Sequence, residues 1–304
     1  MEKIPITVII PVKNEEQNLP HCLQLLSGFD QILVIDSGST DRTVAIAKSN
    51  GAEVHQFEWN GHFPKKRNWV MRNLSFRNDW IFFLDADEYI NQSFIEEVQQ
   101  KIKNPEIIGY WIRFNKYFMG KELKYGDIFE KLALFRVGAG EYEQIKEDFW
   151  SHLDMEVHEH PIIEGKCGKI KTKVDHQDYK GLEAYIDRHN AYSTWEARRF
   201  LSLDQDGFES LNSRQAMKYR LMRWGILPIA FFLGSYILKM GFMDGSAGFY
   251  FASYKFQYFL QIQTKIKELK SRRNEKIGAS IQSSLNFHKD NKGNSRKLNE
   301  IYPK

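Results

Sequence analysis

Two carboxylates, Asp85 and Asp87, stand at the end of an apolar run in the stretch WIFFLDAD, residues Trp80–Asp87. The run is bounded by polar residues and too short for a typical helix, so it predicts a strand buried on both faces, as in a parallel sheet. Two residues apart on an extended chain, the side chains point the same way, and like charges so placed repel unless a cation or cationic side chain lies between them. A hard divalent ion, Mg2+ or Mn2+, suits the pair. Such an ion completes its shell with water and substrate phosphates, so the site predicts a phosphate-bearing ligand. The competing reading is a pair of solvated aspartates at a strand end.

The preceding segments supply the frame. Ile6–Val12 reads as a buried strand, followed by Lys13-Asn14-Glu15 and a helix with Leu19, Leu23 and Leu26 on one face. Gln31–Ile35 is a second strand, ending in Asp36-Ser37-Gly38-Ser39-Thr40-Asp41, before a helix through Val44, Ile46 and Ala47 that Gly51 can close. Ala52–Trp59 predicts a third strand and Lys65–Leu74 a third helix. This alternation predicts an α/β fold with a mostly parallel sheet covered on both faces.

Ligands of open α/β sheets bind beyond the carboxyl ends of the strands, where three polar clusters fall. The first is Pro11, Lys13, Asn14 and Glu15; the second is Asp36, Ser37 and Gly38; the third is Asp85, Ala86 and Asp87. Acceptors such as Glu15 and Asp36 suit ribose hydroxyls or base N–H groups, and a metal at the third cluster suits a diphosphate. Together they describe a nucleoside diphosphate. Lys66, Arg67 and Asn68 either add donors near that anion or form a solvated helix start. No GxxxxGK[ST] run occurs and no GxGxxG follows the first strand, which disfavours a P-loop enzyme and a dinucleotide dehydrogenase.

A chain of 304 residues with formal net charge +4 can bury a substantial core and does not imply nucleic acid as a partner. Cys22 and Cys167 form neither a disulfide framework nor a metal spacing. With no export signal before ITVIIPV, the expectation is a cytoplasmic protein. No run of about twenty apolar residues predicts a conventional transmembrane helix. Between Arg214 and Met243, however, there is no acidic residue, and Arg214, Lys218, Arg220, Arg223 and Lys239 surround the apolar run Ile226–Leu238. Such a segment suits a helix in the headgroup region of an anionic bilayer with Trp224 as anchor, or equally a helix packed on the main domain. The expected organisation is a catalytic domain over residues 1–205, a basic and apolar helical region over 206–270, and a disordered polar tail over 271–304.

The segments IIPVKNEEQNLPHCL, ILVIDSGSTDRTVAIAK, KKRN and FFLDADEYI, in that order, resemble the motifs of inverting family 2 glycosyltransferases of the GT-A fold, from Ile4 to about Val98. DSGSTD, a later VHE and GFMDG look like the lipopolysaccharide-core glucosyltransferase type. The resemblance implies a Rossmann-like GT-A sheet flanked by helices. It implies Glu15 and Asp36 at uridine or an equivalent nucleoside, Asp85 near ribose and metal, and Asp87 ligating the metal at the diphosphate. An inverting transfer needs a base for the acceptor hydroxyl. The resemblance assigns that role to Glu159, with His158 orienting it or touching the diphosphate and Glu88 as fallback. Glu159 as a salt-bridged strand residue, or His158 and His160 as ligands of an unrelated metal, are the alternatives. His176 sits where the family often has a histidine, with a structural role as the alternative. Tyr110, Trp111, Tyr117 and Phe118 either stack on sugar rings or belong to the core.

The expected function is metal-dependent transfer of a hexose, glucose first among candidates, from a nucleoside diphosphate sugar, UDP-sugar first. The expected acceptor is a lipid-linked saccharide such as lipopolysaccharide core, at the inner face of the cytoplasmic membrane. One rival is a sugar nucleotidylyltransferase, disfavoured because Pro11–Glu16 lacks a glycine to admit a triphosphate. The other is a non-enzymatic, membrane-associated glycan-binding protein.

Overall fold

The computed structural model describes residues 3–145, 151, 153–154, 161–203, 205–209, 211 and 213–301, without the side chains of 205, 206 and 276–301. The first half alternates as its hydrophobic pattern requires: β1 (Ile4–Val12), α1 (Leu19–Leu25), β2 (Phe29–Asp36), α2 (Thr43–Ser49), β3 (Glu53–Gln56), α3 (Lys66–Asn73) and β4 (Trp80–Phe83). Then follow β5 (Glu88–Tyr89), α4 (Gln92–Lys101), β6 (Gly109–Phe118), β7 (Lys121–Leu123), β8 (Phe129–Arg136) and β9 (Gly140–Tyr142). The second half contains β10 (Pro161–Ile163), β11 (Cys167–Lys169), β12 (Val174–His176), α5 (Gly181–Ser202), α6 (Gln205–Glu209), α7 (Ser213–Arg223), α8 (Leu227–Phe232) and α9 (Gly245–Ile301).

The main sheet runs in the order β3-β2-β1-β4-β8-β6-β12-β5. Strands β3, β2, β1 and β4 are parallel, while β8 joins β4 antiparallel and β6 joins β8 antiparallel. The sheet is thus mixed. Its parallel half carries the crossover helices, and the antiparallel half extends the floor beside β4. Burial on both faces explains why β1 and β4 are continuously apolar: Ile6, Val8, Ile10 and Phe82 pack against α1 and α4, and Ile9, Ile81 and Phe83 pack toward Val70 of α3. The Asn91 side chain caps α4 by accepting from Phe94 N at 2.9 Å. Tyr110 and Phe118 are buried core residues, so of the four aromatics considered for sugar stacking these two are removed.

Helices α5, α7, α8 and α9 share a second apolar cluster through Ala197, Tyr219, Met222, Leu227, Tyr258 and Ile262. The run Ile226–Leu238 therefore packs one edge inward, burying Leu227 and Pro228, and exposes Ile229, Leu233, Ile237 and Leu238. After α8 the chain continues as a π-helical turn, Leu233–Leu238, and a 3₁₀ turn, Gly241–Asp244. Gly248 of α9 presses on that turn so closely that a Cβ there would lie 2.0 Å from the Gly241 carbonyl oxygen. Among the described residues no single helix is long and apolar enough to cross a membrane; Leu227–Leu238 with Gly241–Glu275, bent by 71°, passes by length and composition only as a pair. The backbone of α9 continues to Ile301 through the polar stretch whose composition predicts disorder. Extending a helix already nucleated against the second cluster costs less than starting one, and no proline interrupts this stretch before Ile301.

Candidate active site

Three loops meet at the carboxyl ends of β1, β2 and β4, and hydrogen bonds between them fix their shape. In the first, Asn14 adopts φ 54° and its side-chain oxygen accepts from Thr40 N at 2.8 Å, while Asn14 N donates to Ser39 Oγ at 2.8 Å. Glu15 N donates to Thr43 Oγ1 at 2.7 Å. In the second, the buried Asp36 carboxylate accepts from Ser39 N at 3.1 and 3.2 Å and from Ser39 Oγ, an Asx-type turn. Gly38 at φ 69° lets the backbone turn beside it. Ser37 N donates to Val12 O at 3.1 Å, joining the strand ends. Pro11 lies within β1, and the exposed Lys13 follows Val12.

At the third loop the paired carboxylates are neutralised by the protein itself. Asp85 Oδ1 accepts from Arg67 Nη2 at 3.0 Å, and Asp85 Oδ2 accepts from Lys131 Nζ. Burial opposes ionisation of Asp85, but Lys131 and Arg67 outweigh it and hold its carboxyl far below the usual range. Asp87 Oδ2 lies 3.2 Å from His176 Nε2. Burial likewise opposes its charge and the imidazole prevails, lowering Asp87 and raising His176 above its ordinary value. Ala86 between them is buried. The two aspartates are therefore not equivalent: Asp85 is clamped by two cations, whereas Asp87 has one imidazole neighbour.

Glu88 is fully buried, with Oε1 on Lys131 and Oε2 accepting from Asp85 N at 3.0 Å. Burial pushes its carboxyl up to about 7 against the pull of Lys131. With both oxygens engaged inside the sheet it cannot reach an acceptor hydroxyl, which corrects its place as fallback base. Asn68 is also reassigned. Its amide donates to Tyr142 O at 3.0 Å and accepts from Tyr142 N at 2.8 Å, so it stitches α3 to β9 instead of facing a ligand. Lys66 is buried rather than solvated, with Nζ 3.2 Å from Asp154 and 3.4 Å from Val12 O. His158 and Glu159 lie outside the described residues, as does His160.

The segment after β12 closes the site from 160 residues away in sequence. Lys180 Nζ donates to Glu15 Oε1 at 2.6 Å, and Asn18 Nδ2 donates to Glu15 Oε2 at 2.9 Å and to Asp178 Oδ1 at 2.9 Å. Burial leaves Glu15 above its ordinary value in spite of Lys180. Gln177 N donates to Asp87 O at 2.9 Å, and Arg188 of α5 pairs with Asp178 at 2.6 Å. Thus the loops bearing Glu15, Asp36, Asp85 and Asp87 are tied together, with His176, at the carboxyl ends of the strands, the crevice position of an open α/β sheet. Lys131, Lys180 and Asp178 are site residues that the sequence reading did not single out. The signal for Lys131 was a lysine in β8, whose inward positions are otherwise apolar; for Lys180 and Asp178 there was none.

The crevice lies where an open α/β sheet binds its ligand, and residues 7–155, which contain its three loops, match Glycosyl transferase family 2. Residues 7–155 form a domain of that family. The chain is 29% identical over 204 residues to the lipopolysaccharide core biosynthesis glycosyltransferase LpsC of Rhizobium meliloti, covering 64% of this chain and 71% of the relative. It is 23% identical over 313 aligned residues to an uncharacterized glycosyltransferase of Rickettsia typhi, covering 98% of this chain and 99% of that one. Among solved structures, S. aureus TarS 1–349 aligns with a TM-score of 0.40 and 14% identity over 89% of this chain and 92% of that one. The glucosyl-3-phosphoglycerate synthase of Mycobacterium tuberculosis, solved with Mn2+, uridine diphosphate and glucosyl-3-phosphoglycerate, aligns with a TM-score of 0.29 and 25% identity over 38% of this chain and 44% of that one. At these scores the GT-A assignment of this glycosyltransferase rests on its family match and on its own strand order.

Proposed function

We propose that this glycosyltransferase inverts the anomeric centre while moving a hexose, glucose as first candidate, from a UDP-sugar to a lipid-linked saccharide of the lipopolysaccharide-core class. The observation that carries this reading is the convergence of the Glu15, Asp36 and Asp85–Asp87 loops with His176 on one crevice. The first loop brings the Glu15 carboxylate, suited to nucleoside hydroxyl and N–H groups, and the second is shaped by the buried Asp36. The third presents the Asp87 carboxylate, an oxygen donor that suits Mg2+ or Mn2+ with the remaining positions left for water and diphosphate oxygens, and the His176 imidazole beside it would add a donor for Mn2+. Asp85 enters as the clamped anchor that keeps Arg67 and Lys131 beside the anion rather than as an equal ligand. The metal supplies positive charge to the leaving diphosphate. Glu159 is the proposed base, on the family resemblance alone.

The exposed apolar side of the second cluster supports a membrane-borne acceptor. Trp224, Ile229, Leu238, Phe242 and Met243 are 65%, 56%, 81%, 49% and 49% exposed, and Arg220, Arg223 and Lys239 flank them. An apolar surface rimmed by cations suits an anionic leaflet, and we place the enzyme peripherally on the cytoplasmic face of the membrane. The decisive experiment measures slow hydrolysis of a panel of nucleoside diphosphate sugars with and without Mg2+ or Mn2+, in the native chain and in Asp87→Ala. Metal-stimulated hydrolysis of one UDP-sugar, abolished in Asp87→Ala, is expected; full activity of Asp87→Ala with added metal would remove the metal from the mechanism.

A further inference from the structure

The face of the sheet that carries Lys131, Phe129, Phe114 and His176 continues to a second group of cations which the donor site does not use. Phe114 and Lys116 lie two residues apart on β6, hence on one face, and Lys116 is the register partner of His176. Beyond this edge α9 crosses the sheet and brings Phe251 and Lys255 over Lys116. The Lys116 and Lys255 ammonium groups lie 5.1 and 5.9 Å from the centre of the Phe251 ring, and Lys255 is also 5.4 Å from the Tyr258 ring. Both lysines are half-buried.

Among the described residues neither ammonium has a carboxylate within ion-pair distance. Lys255 Nζ meets only the His189 ring nitrogen, at 3.1 Å. The acidic group nearest to both in its effect is Asp127, and Asp127 is already paired with Lys239. Asp244, the next carboxylate, is spent on the Lys124 and Tyr125 backbone N–H groups at 3.0 and 3.1 Å. Three lysines therefore share one carboxylate at the margin of an aromatic wall. Burial pushes Lys255 down to about 8. An anion placed between the two ammoniums would offset that burial through charge-assisted hydrogen bonds.

We propose that Lys116 and Lys255 form a docking site for an anionic group, a phosphate, carried by the acceptor saccharide, on the strand beside His176 and on the same face of the sheet. The proposal rests on the glycosyltransferase reading above and deepens it: it gives the acceptor a charge and a place. The bound phosphate sits between the two ammoniums against Phe251, and so fixes how far the acceptor hydroxyl reaches toward the donor crevice.

Calorimetric titration of the full chain with glucose 6-phosphate, inorganic phosphate and glucose, at one ionic strength, tests this. The two phosphates are expected to bind and glucose not to. Affinity should fall at least tenfold in Lys116→Met and in Lys255→Met, and Lys255→Arg should retain most of it. Vesicles of phosphatidylglycerol should bind the variants as they bind the native chain. Unchanged phosphate affinity in both methionine variants overturns the proposal, as does glucose binding as tightly as glucose 6-phosphate. So does a loss confined to vesicle binding, which would give the lysines to a lipid headgroup. Lys255→Met removes a half-buried charge and is expected to melt above the native chain, so lost binding with a raised melting temperature cannot be ascribed to misfolding. Titration of uridine diphosphate with Mn2+ into the same proteins separates the two readings. Failure of the native chain to bind it overturns the donor assignment, while the phosphate titration still decides the lysine site.

Discussion

Replacing Lys131 by methionine keeps the length and the apolar stem of the side chain and deletes the one ammonium shared by Asp85 and Glu88. Glu88 is 0% exposed and Asp85 27%, so the carboxylate left without its partner is mainly the interior one. Removing one member of a buried ion pair typically costs 3–5 kcal/mol; with Arg67 still on Asp85, the expected loss at neutral pH is about 3 kcal/mol. The pH dependence is more diagnostic than the size. Glu88 is raised to about 7 in the native fold against an ordinary value of 4.5, so the stability linked to its protonation is fully present below about 4.5 and is lost as pH rises through 7. In the native chain this amounts to roughly 3 kcal/mol and levels off above 7, because Lys131 permits the anion. Without Lys131 the Glu88 value rises further, so the variant should keep losing stability between pH 7 and 8.5, at up to about 1.4 kcal/mol per pH unit. Urea denaturation at half-unit steps from pH 5.5 to 8.5 reads this directly. Stability curves of native chain and variant that run parallel above pH 7 would refute the claim that Lys131 is what keeps Glu88 charged.

Three further outcomes follow from other contacts. Asn68→Ala removes two hydrogen bonds to the Tyr142 backbone and leaves buried partners unmet, and should cost about 2–4 kcal/mol in chemical denaturation without a specific loss of uridine diphosphate affinity. His176→Ala should weaken Mn2+ binding measured by calorimetry; because the native imidazole is held above its ordinary value by Asp87, metal affinity in the native chain should climb as pH rises through that elevated value, and this climb should vanish in the variant. Gly248→Ala places a Cβ 2.0 Å from the Gly241 carbonyl oxygen, which only a backbone shift relieves, so a loss of roughly 1–3 kcal/mol in stability is expected, read as a lower melting temperature.

How much of this was legible depended on range. The apolar runs of β1, β2 and β4 and the loops after them follow from a local pattern, and each strand was placed within a few residues of its observed bounds. The mixed character of the sheet beyond β4 was not legible, because the pairing of β8 between β4 and β6 is decided by packing between segments some fifty residues apart in the chain. Site residues divide the same way. Asp85 and Asp87 stand out because a charge at the end of an apolar strand is conspicuous, yet their different surroundings depend on Arg67, Lys131 and His176, which the fold alone brings together. Asn68 shows the converse: beside Lys66 and Arg67 it looks like part of a cationic turn, and only its distance to Tyr142 reveals a bracket between two elements.

The hold that Lys180 and Gln177 exert on Glu15 and Asp87 bears on which piece of this chain can work by itself. A fragment ending near residue 155 would retain every loop motif by which the family is recognised and yet lack the strap that braces two of them. Shortened versions for crystallisation or for grafting onto another acceptor domain therefore need α5 as well as the three loops.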